Sequence, residues 1–272
     1  MTALPRPPAP AAPALDADHA LLVAAVREAG ALARRFFGNA PQQWEKSANN
    51  PVSEADIAVN DLLHRTLGAA RPDYGWLSEE SADDPRRLAA HRTWVIDPID
   101  GTQPFLEGVP EFAVAAALTE AGRPVAACVY NPASGEFFDA ALGGGARLNG
   151  QPIRVGACAA IADARLLVTE HNVKRAHDPA VFARATLADI GSIAYRLALV
   201  ACGRYDAAIS LAGKSDWDVA AADLIVAEAG GRMTTVADDL YRYNRASTRH
   251  RSVIAANPVL HAALCAAFRH TV

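Results

Sequence analysis

The chain has 272 residues, of which 51% are hydrophobic and 21% charged, and its formal net charge is −4. A net negative charge argues against a nucleic-acid polymer as partner, which demands a basic patch. No run of about eighteen apolar residues is present, so no membrane-spanning helix is expected, and the length suffices for a large core in one domain or two intimate subdomains.

Met1 to Pro13 is mostly Pro and Ala, and its five prolines deny both helix and sheet pairing. It lacks an apolar stretch flanked by basic residues and so is not a secretory signal; residues 1–14 are expected to be a disordered lead-in. Helical periodicity covers Ala17–Phe37 and Ser53–Leu67, where Ser53 and Asp56 fit a Ser-x-x-acid helix start. Ser78-Glu79-Glu80-Ser81 follows the Tyr74–Leu77 run and reads by itself as a solvated acidic loop. Short strands are predicted at Trp94–Asp97, Phe112–Thr119, Val125–Tyr130 and Glu136–Ala140, with a tight turn at Asn149-Gly150. The second half alternates. A strand near Arg165–Thr169, helices over Pro179–Leu187 and Ser192–Cys202, and a strand over Tyr205–Ser210 precede an Ala-rich helix that begins beside Asp218 and stops at Gly230-Gly231. Such alternation predicts a layered α/β protein, sheets covered by helices. The four cysteines, Cys128, Cys158, Cys202 and Cys265, show neither metal spacing nor close pairs and are expected to be small buried residues of a reduced cytoplasm.

The chemistry concentrates in Trp94-Val95-Ile96-Asp97-Pro98-Ile99-Asp100-Gly101-Thr102. An apolar strand that ends in clustered acids can present a divalent cation, and backbone N–H groups beyond a glycine suit phosphate oxygens. Acids two apart would line one face of a strand. Asp97 and Asp100 are three apart with Pro98 between them, so the chain is expected to turn at Pro98 and fold Asp100 back beside Asp97. That spacing favours a shared metal over a covalent aspartate nucleophile. Asp218, before the Ala-rich helix, reads either as an N-cap or as a further ligand.

Together, Ser78-Glu79-Glu80-Ser81, Asp97-Pro98-Ile99-Asp100-Gly101-Thr102 and Trp217-Asp218-Val219-Ala220-Ala221, ending in Glu228-Ala229-Gly230-Gly231, resemble the inositol monophosphatase family of magnesium-dependent, lithium-sensitive phosphomonoesterases, from about Leu15 to the C-terminus. The resemblance implies a sandwich of alternating helix and sheet layers, made of two subdomains (about 15–155 and 156–272) with the active site between them. It implies that Glu79, Asp97 and the carbonyl of Ile99 hold one Mg²⁺, and that Asp97, Asp100 and Asp218 hold a second, with Asp97 bridging. Some members use the first Glu for a third, weaker ion, and Mn²⁺ is an expected substitute. Gly101 and Thr102 would present N–H groups to the phosphate, Asp56 and Thr102 would orient and deprotonate the attacking water, and Glu80 would stand behind the ligands, towards the substrate. The expected partner is a small phosphate ester, and the expected state a cytoplasmic homodimer.

The substrate is less sharply marked. Inositol-specific members carry a Glu seven residues before the Trp-Asp aspartate and follow Asp-Gly-Thr with Thr-Asn; here those positions are Leu211 and Gln103-Pro104. A small polyol or sugar phosphate is the leading expectation. Lys214, four residues before Asp218, could bind the second phosphate of a 3′(2′),5′-bisphosphate nucleotidase substrate, or be a solvated loop lysine. A histidinol-phosphate phosphatase shares the same motifs, and neither His171 nor Tyr195 separates the alternatives. A metal- or sugar-phosphate-binding regulator without turnover would be expected to lack one of Asp56, Glu79, Asp97, Asp100, Thr102 and Asp218, yet all are present. The apolar Ile193–Val200 run reads as core or as a contact between subunits.

Overall fold

A computed structural model describes residues 12–47 and 50–269. Helix α1 (Ala12–Phe36) begins inside the segment expected as a lead-in, since a proline in the first turn of a helix costs no internal hydrogen bond; the rest of that segment, 1–11, lies outside the described residues. Strands β1 (Gln43–Ser47) and β2 (Asn50–Ser53) pair antiparallel and lead into α2 (Glu54–Ala70). A seven-stranded sheet follows in sequence order: β3 (Gly75–Ser78), β4 (Arg92–Asp100), β5 (Ala113–Glu120), β6 (Arg123–Asn131), β7 (Glu136–Ala141), β8 (Ala146–Leu148) and β9 (Gln151–Pro152). The β3–β4 pair is parallel and the other pairs are antiparallel. One-turn α3 (Thr102–Leu106) sits between β4 and β5. The expected turn at Asn149-Gly150 joins β8 to β9, with φ of 49° and 79° as a two-residue hairpin requires.

Next come β10 (Arg165–Leu167), α4 (Glu170–Val173), β11 (Thr186–Ala188), α5 (Ile193–Ala201), β12 (Ala207–Ser210), β13 (Lys214–Ser215), α6 (Asp216–Glu228), β14 (Arg232–Thr234), β15 (Arg249–His250), β16 (Val253–Ala256) and α7 (Pro258–Ala267). Five of the strands form a second sheet in the order β11-β10-β12-β16-β14, and β13 and β15 form a two-stranded ribbon. The run Pro179–Leu187, expected as a helix, is a single 3-10 turn over Pro179–Phe182 followed by β11. Its backbone is recruited to extend the second sheet beside β10, and that pairing outweighs local helix propensity.

Three cores hold five layers together, the middle core spanning both sides of the α5–α6 layer. Leu22, Val26, Val59 and Leu63 of α1 and α2 pack on Trp94, Ile96, Val114 and Leu118 of the large sheet. The other face of that sheet, with Val95, Ala115 and Ala117, meets α5 and α6, whose far side rests on Ala208, Val253 and Ala255 of the second sheet. Leu166, Ile209 and Ile254 then pack against Leu260 and Leu264 of α7. The result is the expected alternation of helix and sheet layers. Strand β5 is buried on both faces, which is why it reads as continuous apolar sequence rather than as an alternation. Helix α5 lies in the central layer with Leu197, Ala198 and Val200 fully buried, so the Ile193–Val200 run is core. Each fully buried Leu or Val contributes about 1.5–3 kcal/mol of transfer free energy. Of the cysteines only Cys128 is buried; Cys158, Cys202 and Cys265 are partly exposed, because they sit at element ends and margins rather than in the cores, and all four are free thiols.

Candidate active site

The two aspartates of β4 come together by a route other than the expected turn. The strand continues through Pro98 to Asp100, and its ladder with β5 slips: Asp97 lies opposite Ala115 and Asp100 opposite Ala113. Three steps on β4 thus match two on β5, which is a β-bulge, and a bulge tolerates a proline. The extra residue makes a spacing of three act as a spacing of two. Gly101 then turns the chain into α3 at φ +91°, where a Cβ would lie 2.7 Å from the carbonyl oxygen of Glu111. Only glycine fits there.

Asp218 comes from the central helical layer. Helix α6 starts at Asp216 with Ser215 as its cap, so Asp218 is the third helical residue rather than the cap itself, and its Oδ2 accepts from Ser215 N at 2.6 Å. One carboxylate oxygen each from Asp97, Asp100 and Asp218 lies within 4.8 Å of the others. Glu79, just beyond β3, donates its backbone N–H to Ile96 O at 3.2 Å, which extends the β3–β4 pairing and sets its side chain into the same cleft. That cleft, about 240 Å³, is also lined by Ile99, Gly101, Thr102, Gln103, Pro104 and Gly191. Asp56 plays two parts. Its Oδ2 closes the capping box of α2 (Ser53 N at 2.8 Å, Ser53 Oγ at 2.6 Å), while its Oδ1 accepts from Thr102 Oγ1 at 3.3 Å. The Thr102 hydroxyl also lies 3.1 Å from Ile99 O.

The electrostatics are those of an acid cluster awaiting positive charge. Asp97 is buried with neither carboxylate oxygen hydrogen-bonded among the described residues. Burial, then repulsion from Glu79, Asp100, Asp218 and Asp56, holds its pKa well above the ordinary carboxylate range. Burial pushes Glu79 up to about 7, opposed by Lys46 and assisted by Glu80, Asp218 and Asp100. Asp100 is pushed to about 6 by burial and by Asp218, against the hydrogen bonds from Ser192 and Ala194 and the charge of Lys214. Asp56 and Asp218 are raised as well, by burial first. A buried, unpaired carboxyl is costly unless something compensates it. A donor set made only of oxygens fits a hard divalent cation such as Mg²⁺.

Several neighbours escape a reading of the sequence. Lys46 of β1 pairs with Glu80 and lies 3.5 Å from Glu79, so Glu80 faces this lysine. Asn60 of α2 accepts from Ser78 Oγ (2.7 Å) and Ser81 Oγ (3.3 Å), bracing the Ser-Glu-Glu-Ser loop from below. Asp100 Oδ2 accepts from the Ser192 hydroxyl and from Ala194 N at 2.6 Å, so the N-terminus of α5 positions it. Ser53 and Ser192, each directly ahead of a helical pattern, are visible caps; the contacts of Asn60 with Ser78 and of Ser192 with Asp100 carry no local signal, because those partners are 18 and 92 residues away. Lys214 is partly buried on β13, and its charge favours the ionised forms of Asp100 and Asp218. Leu211 is buried in the core beneath α7, His171 is exposed, and the Tyr195 hydroxyl bonds Glu136.

The chain matches the model of the inositol monophosphatase family over residues 15–272. An inositol-1-monophosphatase of Rhizobium meliloti is 37% identical over 225 residues, covering 79% of this chain and 84% of that protein. A histidinol-phosphatase of Chlorobaculum parvum is 34% identical over 225 residues, covering 79% of this chain and 84% of that protein. The crystal structure of the extragenic suppressor protein suhB from Bartonella henselae superposes with a TM-score of 0.80 at 31% identity, covering 93% of this chain and 98% of that one.

Proposed function

The chain belongs to the inositol monophosphatase family and is a phosphomonoesterase, and on that footing we propose that it hydrolyses a small polyol or sugar phosphate with the help of Mg²⁺. The observation that carries the cation is Asp97, buried with neither oxygen hydrogen-bonded among the described residues and with one of them within 4.8 Å of a carboxylate oxygen of Asp100 and of Asp218. Asp97, Asp100 and Asp218 would hold one ion; Glu79, Asp97 and the Ile99 carbonyl would hold another, with Mn²⁺ able to replace either. Bound cations would neutralise the carboxylates, lower the pKa of a water and stabilise the departing oxygen. The remaining work is positional. Asp56, already joined to the Thr102 hydroxyl, would orient the attacking water and take its proton, and the backbone at Gly101 and Thr102 would receive the phosphate at the cleft mouth. In this reading residues 15–155 and 156–272 act as two subdomains, the second lending Asp218 to a site built mostly by the first, in a soluble homodimer of the cytoplasm.

The leading test is phosphate release with Mg²⁺ from inositol 1-phosphate, adenosine 3′,5′-bisphosphate, histidinol phosphate and fructose 1,6-bisphosphate. The expected result is a specificity constant for the monophosphorylated polyol at least about tenfold above the others, or about 1.4 kcal/mol in transition-state binding. A second reading, a bisphosphate nucleotidase, rests on Lys214, whose charge reaches Asp100 and Asp218. In that case Lys214→Ala weakens the bisphosphate more than any monophosphate; an equal effect on both removes it. Silence across the panel, with Mg²⁺ shown to bind, would point to a substrate outside the panel or to a regulator.

A further inference from the structure

Asp218 reaches the cleft from α6, whereas Asp97 and Asp100 stand on β4, so the three acids meet only if the start of that helix is held at a set distance from that strand. Several polar bonds at the start of α6 stay within its own half of the chain. Asp216 N donates to Thr248 O at 2.8 Å, His250 Nε2 lies 2.7 Å from Asp216 Oδ1, and β13 pairs with β15. One residue carries the connection onward to β4. Asn244 donates its backbone N–H to Asp216 Oδ2 at 2.7 Å. Its side chain turns the other way: Nδ2 donates to Thr93 Oγ1 at 2.9 Å and to Arg87 O at 3.1 Å, and Oδ1 accepts from Arg87 Nη1 at 2.7 Å.

Residue type and conformation both suit that role. Asn244 sits at φ +52°, a left-handed conformation that asparagine tolerates better than most side chains. Its amide is used on both atoms. A flipped amide would set its NH₂ against the Arg87 guanidinium and its oxygen against Arg87 O, so the hydrogen-bond pattern fixes the orientation. The groups at both ends are held by burial. Asp216 and Thr93 are fully buried and Arg87 nearly so, and Arg87 is locked in turn by Asp83, with Nη2 donating to Oδ2 at 2.9 Å. Thr93 lies on β4, the strand of Asp97 and Asp100, and Asp216 is two residues before Asp218, a rise of about 3 Å along the helix. The tie therefore joins the two rigid elements that carry the acids, through residues that do not themselves line the cleft.

We propose that Asn244 is a positioning residue: it sets Asp218 against Asp97 and Asp100, and so tunes the affinity of the cleft for the ion those acids would share. This rests on the cation reading of the cleft given above. Asn244 does not line the cleft, so its contribution is preorganisation and not contact with ion or substrate. Without the side chain, Asp218 reaches its place only when an ion draws the start of α6 and β4 together, and that ordering weakens binding.

The test is Mg²⁺ binding by calorimetry to the full-length, metal-stripped protein, beside a urea midpoint for each variant. Asp218→Asn first marks the binding step to which α6 contributes. Asn244→Gly keeps the left-handed backbone and the N–H to Asp216, and removes only the ties to Arg87 and Thr93. It is expected to weaken that same step by at least about tenfold, as loss of a partner behind a ligand commonly does, and to move the other step less. Thr93→Ser and Thr93→Val separate positioning from packing, and carry the test if Asn244→Gly folds poorly. Serine keeps the hydroxyl that accepts from Asn244 but loses a buried methyl; valine keeps the shape and loses the acceptor. Positioning predicts affinity near that of the wild type in Thr93→Ser and weakened affinity in Thr93→Val, whatever the urea midpoints do. Equal Mg²⁺ affinity in Asn244→Gly and the wild type, or a Thr93 pair whose affinities follow stability instead of the hydroxyl, overturns the proposal and leaves the cation site intact. A wild-type chain that binds no Mg²⁺ removes the reading of the cleft itself, and this inference with it.

Discussion

Asp56, Asp100 and Asp218 each spend one carboxylate oxygen on a backbone N–H, from Ser53, Ala194 and Ser215 respectively. Asp97 spends neither among the described residues. The three are anchored and the fourth is kept for something absent from the polypeptide, which makes Asp97 the residue whose loss separates chemistry from folding. Asp97→Asn is expected to reduce turnover by roughly three orders of magnitude, since a preorganised electrostatic site loses its central anion. The metal-free melting temperature should stay level or rise, because an uncompensated buried acid is removed; a marked fall would show Asp97 to be structural. Ser192 acts at one remove, by holding Asp100. Ser192→Ala leaves a buried carboxylate one donor short, and urea denaturation should show a loss of about 1–3 kcal/mol.

Between residues and layers, the bulge in β4 is the element that makes the site. Sequence shows two acids three apart and a proline between them, from which a shared cation follows but a turn is the natural guess. The slip of Asp97 and Asp100 against Ala115 and Ala113 depends on how β5 pairs, which no local pattern records. The same holds for the contacts of Asn60 with Ser78 and of Ser192 with Asp100, whose partners are distant in the chain, and for β11, where edge pairing overrode a helical pattern. By contrast the Ser53–Asp56 capping box, the Asn149-Gly150 hairpin and the long helices rest on contacts within a few residues and are legible, whereas Asp218 is the third residue of its helix, behind the Ser215 cap, and not the cap itself. Gly101 tests the element directly. Gly101→Ala puts an L side chain at φ +91° and a methyl 2.7 Å from Glu111 O, whereas Gly108→Ala at φ +73° meets nothing within 4 Å. Backbone strain of about 1–3 kcal/mol is common to both, so the denaturation midpoint of Gly101→Ala should fall further, and Mg²⁺-supported turnover with it. Equal losses would mean that the approach to Glu111 is not tight.

At the scale of the molecule, five layers bring acids from separate strands and helices to one buried spot, and folding without a cation has a cost that depends on pH. Glu79 titrates near 7 and Asp100 near 6 in the folded chain, above their ordinary values of 4.5 and 3.8. The folded state therefore binds more protons than the unfolded state between about pH 4 and 7, so metal-free stability should fall as pH rises through that window. Mg²⁺ competes with those protons, so its stabilising shift in melting temperature should grow from pH 5 to pH 7.5, and less steeply in Glu79→Gln. A shift that is the same at both pH values would contradict the linkage. The most direct measurement of the central claim is phosphate release by chelator-stripped protein as Mg²⁺ is restored, with Mg²⁺ binding followed by calorimetry, in the wild-type chain and in Asp97→Asn. The account expects no release without the cation, saturable recovery in the wild type, and loss of both recovery and tight binding in the variant. Turnover by the stripped protein, or near-normal turnover by Asp97→Asn, would contradict it.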